Sequence, residues 1–246
     1  MILVLLLLPL TVSITVPRLP GIPVPGRTVP VLRLFDGYAA SCRPRSRDDF
    51  GMDQLAELLR SLRADEVAQK MYSSLFHSMA DFRVETAMGR WYRVADSKSL
   101  HLDDCGVFDF TLLSKGDYDA TFSSTEHVLK GEQVVSYHGF GRVKGPEPGE
   151  TLLTTGHPAD QCPFFPVKLG GLNLKGEYEY MILSTPLKYP TMVLARDHGD
   201  FKRKHLKEVE AWTEKHGFVS PMAALNTRLF FSKPSACKQA YSYSQY

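Results

Sequence analysis

Hydrophobic and polar positions alternate through the second half of the chain. From Cys105 to Leu113, Phe108, Phe110 and Leu112 fall on one face and Asp109 and Thr111 on the other. That is the period of two of a half-buried strand. Lys115, Gly116 and Asp117 then supply a turn, as Gly and Asp readily do. A strand over Tyr118 to Leu129 follows, with Ala120 and Phe122 on one face. Further strands are predicted over Glu132 to Val143, Thr151 to Gly156, Phe164 to Leu169, Tyr178 to Leu183 and Thr191 to Ala195. Turn residues such as Gly145-Pro146 and Thr185-Pro186 separate them. Many short strands with regular turns argue for an all-β barrel or sandwich.

The period changes on either side of these strands. Met52, Leu55, Leu58, Leu59 and Leu62 share a helical face. Asp65 is placed to cap a second helix, whose apolar face includes Ala68, Met71, Tyr72, Leu75, Phe76 and Met79. This pair reads either as a hairpin packed on the exterior or as a lid or partner surface. Near the C-terminus a helix is predicted over 200–216, with Phe201, Leu206, Val209 and Trp212 on one face. His198, His205 and His216 lie on or near it and are expected in solvent. Residues 17–30 alternate Pro with Val, Leu, Gly and Arg and read as an extended linker. The cluster from Arg43 to Arg47 reads as a solvated loop. The first residues are an apolar run interrupted by Pro9, too short to span a bilayer, and read as a secretory signal peptide. The chain thus divides into a signal over 1–15, a Pro-rich basic linker over 16–50, a helical extension over 51–84, a barrel over 85–237 and a polar tail over 238–246.

Three segments carry a family resemblance. The first runs from Met88 to Ala95 and contains Gly89-Arg90-Trp91. The second runs from Tyr178 to Lys188 and continues over Met192 to Asp197. The third is helix 200–216, then Gly217-Phe218, then Asn226-Thr227-Arg228 before a last strand. In these segments, over roughly 86–237, the chain resembles the lipocalins, and in particular secreted, nematode-like invertebrate members. Where the family usually carries Thr-Asp-Tyr, this chain has Gly176-Glu177-Tyr178. The resemblance implies an all-β fold: an eight-stranded up-and-down antiparallel lipocalin barrel with a C-terminal α-helix, here with the N-terminal helical extension added. It also implies that Trp91 plugs the closed end with Arg228 over its ring, a contact worth about 0.5–2 kcal/mol.

A barrel of about eight strands either fills its interior with side chains or holds one small ligand. By the resemblance, the inward positions are Phe108, Phe110, Leu112, Ala120, Phe122, Val135, Tyr137, Phe164, Met181, Leu183, Met192 and Leu194. Gly139 is expected to widen the space beside them. The set is apolar, with two methionines that adapt to irregular shapes. It includes no Lys, Arg or His, so no ligand carboxylate held by a buried ion pair is expected. The expected partner is a small hydrophobic ligand, such as a fatty acid, sterol or retinoid. The alternative is an extracellular structural protein that meets protein partners through its exterior, its N-terminal helices and the tail from Tyr241 to Tyr246.

Composition narrows the remaining classes. The chain has 246 residues, 43% hydrophobic and 23% charged, which is ordinary for a folded domain. A net charge of +2 is too small to imply nucleic acid or an anionic membrane surface as partner. No later segment reads as an integral membrane span. Four cysteines in a secreted chain are expected to pair, with three connectivities open. The family resemblance implies Cys105–Cys237, which leaves Cys42–Cys162. No Cys-x-x-Cys motif suggests zinc, no Gly-x-Ser-x-Gly elbow suggests a serine nucleophile, and the eight histidines show no ligand spacing. No cofactor, metal or enzymatic activity is expected.

Overall fold

The computed structural model describes residues 82–97, 105–117, 119–144, 151–185, 188, 190–218 and 229–232. The expected signal peptide, linker, polar tail and nearly all of the helical extension lie outside these residues. A short helix α1 (Val84–Ala87) leads into strand β1 (Gly89–Ser97). Then come β2 (Gly106–Lys115), β3 (Asp119–Lys130), β4 (Gln133–Lys144), β5 (Leu152–Thr154), β6 (Phe165–Leu169), β7 (Tyr180–Ser184) and β8 (Thr191–Ala195). Helices α2 (His198–Lys204) and α3 (Leu206–Lys215) and strand β9 (Leu229–Phe231) follow.

Strands β1 to β5 pair in sequence, antiparallel, as do β6 to β8, and β8 returns to β1. The ring is completed between β5 and β6 by one bridge, in which Leu153 and Phe164 exchange backbone hydrogen bonds of 2.7 and 2.8 Å. This is an eight-stranded up-and-down barrel, with β9 added to β1 opposite Ala95 to Ser97. The strands lie within a few residues of the bounds predicted from alternation. β5 is shorter than predicted because the chain turns after it: Gly156 takes φ +79°, and the Thr155 hydroxyl accepts from the His157 amide and donates to Asp160.

The burial of each strand follows from what covers it. β3 alternates buried and half-buried residues along nearly its whole length, because its outer face meets water. All five residues of β7 and all five of β8 are buried, because helices cover their outer faces. Phe201 and Val209, with Phe218 beyond α3, pack on Phe165, Val167, Tyr180, Ile182, Val193 and Ala195. Each such side chain contributes about 1.5–3 kcal/mol on burial. Asp197 caps α2 by accepting from the Asp200 amide.

The single helix expected over 200–216 is two, with the chain bending at His205. His205 is not in solvent as expected. It lies 3.1 Å from Glu179 with its ring 5.0 Å from Tyr180. The Tyr180 hydroxyl donates to Glu208, which also meets Lys168 at 3.0 Å; burial and this carboxylate raise the phenol's pKa well above the ordinary tyrosine value. His198 is half-buried, with Nε2 3.0 Å from the Ser232 carbonyl. Of the three, His216 is exposed.

Candidate functional site

Ten of the twelve expected inward side chains come together inside the barrel. Phe108, Phe110, Ala120, Phe122, Phe164, Met181, Leu183, Met192 and Leu194 form one buried cluster with Trp91, Leu153 and Tyr178, and Leu112 packs against it. Phe110 lies between Phe108 and Phe122, with ring centroids 6.0 and 5.4 Å away. The tip of the Phe122 ring lies against Gly141, where a Cβ would fall 1.9 Å from Phe122 Cζ. Gly141 therefore makes room for an aromatic ring, not for a ligand.

Gly139 does not widen the interior either. A Cβ there would fall 1.8 Å from the Thr154 carbonyl oxygen, so the backbone after β5 already occupies that space. Val135 and Tyr137 share the inner face of β4, opposite Val128 and Glu126, but stand outside the cluster and are only half-buried. The Tyr137 ring meets His157 edge-on at 4.5 Å, and the Lys130 ammonium lies 5.3 Å from its centre.

The interior also holds a cation, against expectation. Arg93 pairs with Leu194 across the β1–β8 ladder and so shares its inner face. The side chain is 2% exposed. Its Nη1 donates to Glu126 at 2.5 Å, and its Nε lies 3.3 Å from Asp96. A register shift between Arg93 and Ala95 brings Asp96 onto the same face, opposite Met192, while Val94 and Ala95 pack in the outer cluster. This bulge re-aims the strand. Glu126 follows Ala120, Phe122 and Ser124 on the buried face of β3. Gly106 makes room for the pair, since a Cβ there would fall 2.8 Å from Glu126 Oε1 and 2.9 Å from Arg93 Cζ. Arg93 Nη2 and the hydroxyl of fully buried Ser124 have no hydrogen-bond partner among the described residues. A buried group left so costs about 1–3 kcal/mol, more where it is charged.

Two residues before Arg93 on the same strand, Trp91 is covered by a second arginine. Trp91 is fully buried and donates its indole N–H to the Ala87 carbonyl at 2.8 Å. The guanidinium over its ring is that of Arg196, 3.9 Å from the centroid; Arg228, the expected partner, lies outside the described residues. Arg196 donates to the carbonyls of Arg90, Thr86 and Met88 at 2.8, 3.0 and 2.6 Å. Burial lowers its pKa to about 10, opposed by Glu177.

Neither Cys105 nor Cys162 is a free thiol; both are disulfide-bonded. Cys42 and Cys237 lie outside the described residues. Among the described residues there is no group of three or more His, Cys, Asp or Glu able to hold a metal. No described helix is long and apolar enough to cross a membrane.

A family model described as a lipocalin domain matches residues 67–245, well over half the chain. No curated protein matches it. The closed eight-stranded ring, the tryptophan plug under an arginine and the helices on the outer wall agree with that match. The chain belongs to the lipocalin family, whose barrels serve in general to bind and carry small molecules.

Proposed function

We propose that this lipocalin binds and carries a small hydrophobic ligand, such as a sterol, retinoid or fatty acid, outside the cell. The observation that carries the reading is the convergence of ten predicted apolar side chains on one interior cluster. Burial of apolar ligand surface drives such binding at about 25 cal/mol per Å². Met181 and Met192 belong to that cluster, and flexible methionines let the interior repack around a guest. Secretion is part of the proposal and rests on the apolar N-terminal run. The pairing Cys105–Cys237 and Cys42–Cys162, the division of the chain given above, the nematode-like subtype and a non-catalytic role belong to it as well.

One observation favours a second reading. Phe108 and Leu194 are 0% exposed and Met192 is 1% exposed, the packing of a barrel filled by its own side chains. In that reading the exterior and the N-terminal helices meet an extracellular protein partner. Native mass spectrometry with lipid extraction, on protein secreted from animal cells, separates the two. A stoichiometric co-purified lipid is the expected result. A bare mass, with no uptake from a panel of fluorescent fatty acids and retinoids, would select the filled barrel.

A further inference from the structure

We infer that the turn between β6 and β7 is the docking site for the chain's own segment 68–79, which packs its apolar face on Leu172 and Leu174. The turn is built to present those leucines. The Asn173 amide donates to the Glu177 carbonyl at 2.8 Å, and the Asn173 carbonyl accepts from the Gly176 amide at 2.9 Å. The Asn173 side-chain oxygen accepts from the amides of Lys175 and Glu177 at 2.9 and 3.0 Å, and its Nδ2 donates to the Glu177 carboxylate at 2.9 Å. Gly176 takes φ +77° to complete the turn. These bonds fix a tip on which Leu172 is 48% exposed and Leu174 fully exposed. A single exposed leucine is ordinary on a surface. Two on one hydrogen-bonded turn make an apolar face that nothing covers among the described residues.

The path of the chain names the occupant. Phe82, the first described residue, stacks on Tyr178 with ring centroids 6.3 Å apart. The Arg83 amide donates to the Tyr178 hydroxyl at 2.9 Å. Tyr178 in turn bridges to Leu172 across the turn. The segment before Phe82 therefore leaves the barrel beside this turn. Met79 is three residues away, and three residues span at most about 10 Å. The helical spacing of Ala68, Met71, Tyr72, Leu75, Phe76 and Met79 gives the segment an apolar face. Tethered so closely, it acts at an effective concentration of about millimolar, which a second copy in dilute solution does not reach. The lipocalin match begins at residue 67, so the segment belongs to the matched domain. The second helix of the N-terminal pair is thus part of the barrel's exterior, and its apolar face is not a partner surface. The inference stands whether or not the barrel carries a ligand.

The test uses the full secreted chain with Leu174→benzoylphenylalanine, a photoreactive side chain that couples to C–H bonds it touches. On illumination it is expected to couple to residues 68–79 of the same chain, read by mass spectrometry on a mixture of unlabelled and isotope-labelled protein. Hydrogen exchange on the wild-type chain is expected to show the amides of 68–79 protected. Leu172→Asp with Leu174→Asp is expected to speed exchange there about tenfold or more, the worth of one buried leucine, while β3 and β4 keep their rates. If β3 and β4 exchange faster as well, the coupling experiment decides. Coupling between labelled and unlabelled chains would overturn the inference in favour of a second copy. Coupling to lipid in the presence of phosphatidylcholine vesicles would overturn it in favour of a membrane surface. So would absence of coupling to 68–79, or exchange there that the double variant leaves unchanged while the barrel stays folded, with neither occupant in its place.

Discussion

Two arginines work on the same barrel in opposite ways. Arg196 lies over Trp91 and gives both terminal nitrogens to backbone carbonyls of α1 and β1. Its partners are parts of the fold that do not leave, so it ties helix, first strand and eighth strand into a plug. Arg93 lies inside, held by side-chain carboxylates from its own strand and from β3, with one terminal nitrogen left over. The first arrangement grips the backbone through both terminal nitrogens, with its Nε unpartnered among the described residues. The second is a charged pair built where apolar side chains would pack as well, and such pairs give little net stability. The comparison separates an arginine that grips the backbone from one that pairs with side chains inside the barrel.

The largest effect is expected from Arg93→Met. It leaves Glu126 buried without this partner, and urea unfolding is expected to show a loss of about 3–5 kcal/mol. Adding Glu126→Gln is expected to restore much of it. If the single change cost nothing, the distinction between the two arginines would collapse. Arg196→Ala removes three hydrogen bonds and the stacked cation, with an expected loss of about 2–3 kcal/mol in the same measurement. Arg196→Lys is expected to recover little, because one ammonium cannot both stack and reach three carbonyls. Gly106→Ala presses a methyl group on Glu126 and Arg93, at an expected cost of about 1–3 kcal/mol. The smallest effect belongs to Ser124→Ala, whose thermal midpoint in the ligand-free protein is expected to hold steady or rise slightly, since no hydrogen bond is lost.

Much of this was readable from alternation alone. The rule that placed Phe108, Phe110 and Leu112 inward also places Arg93 inward, two residues after Trp91, and Glu126 inward, in line with Ala120 and Phe122. Arg93 was missed because a charged residue in a strand is ordinarily a solvated one, and its partner lies 33 residues away. Asp96 could not be read this way, since strict alternation puts it opposite Arg93; the bulge in β1 brings it round. Gly139 was misjudged because strand pattern says nothing of a loop folding back across the inner face. In the plug the tryptophan was legible, but Arg196 over its ring was not, since that contact joins positions 105 residues apart. The interior is also too crowded for charge scanning: Phe108→Arg or Met192→Arg would place an unpaired charge at a site 0% or 1% exposed and disrupt folding before binding.

The bridge that completes the ring has a consequence for motion. Strands β3 and β4 are joined over twelve paired residues, from Asp119–Lys144 to Lys130–Gln133. Among the described residues, strands β5 and β6 are joined by the single bridge between Leu153 and Phe164. Local opening is easiest where the fewest bonds must break, so the wall has a seam, and it yields there before it yields elsewhere. Both seam residues belong to the interior cluster. Parting them loosens the packed core from the side rather than from its ends.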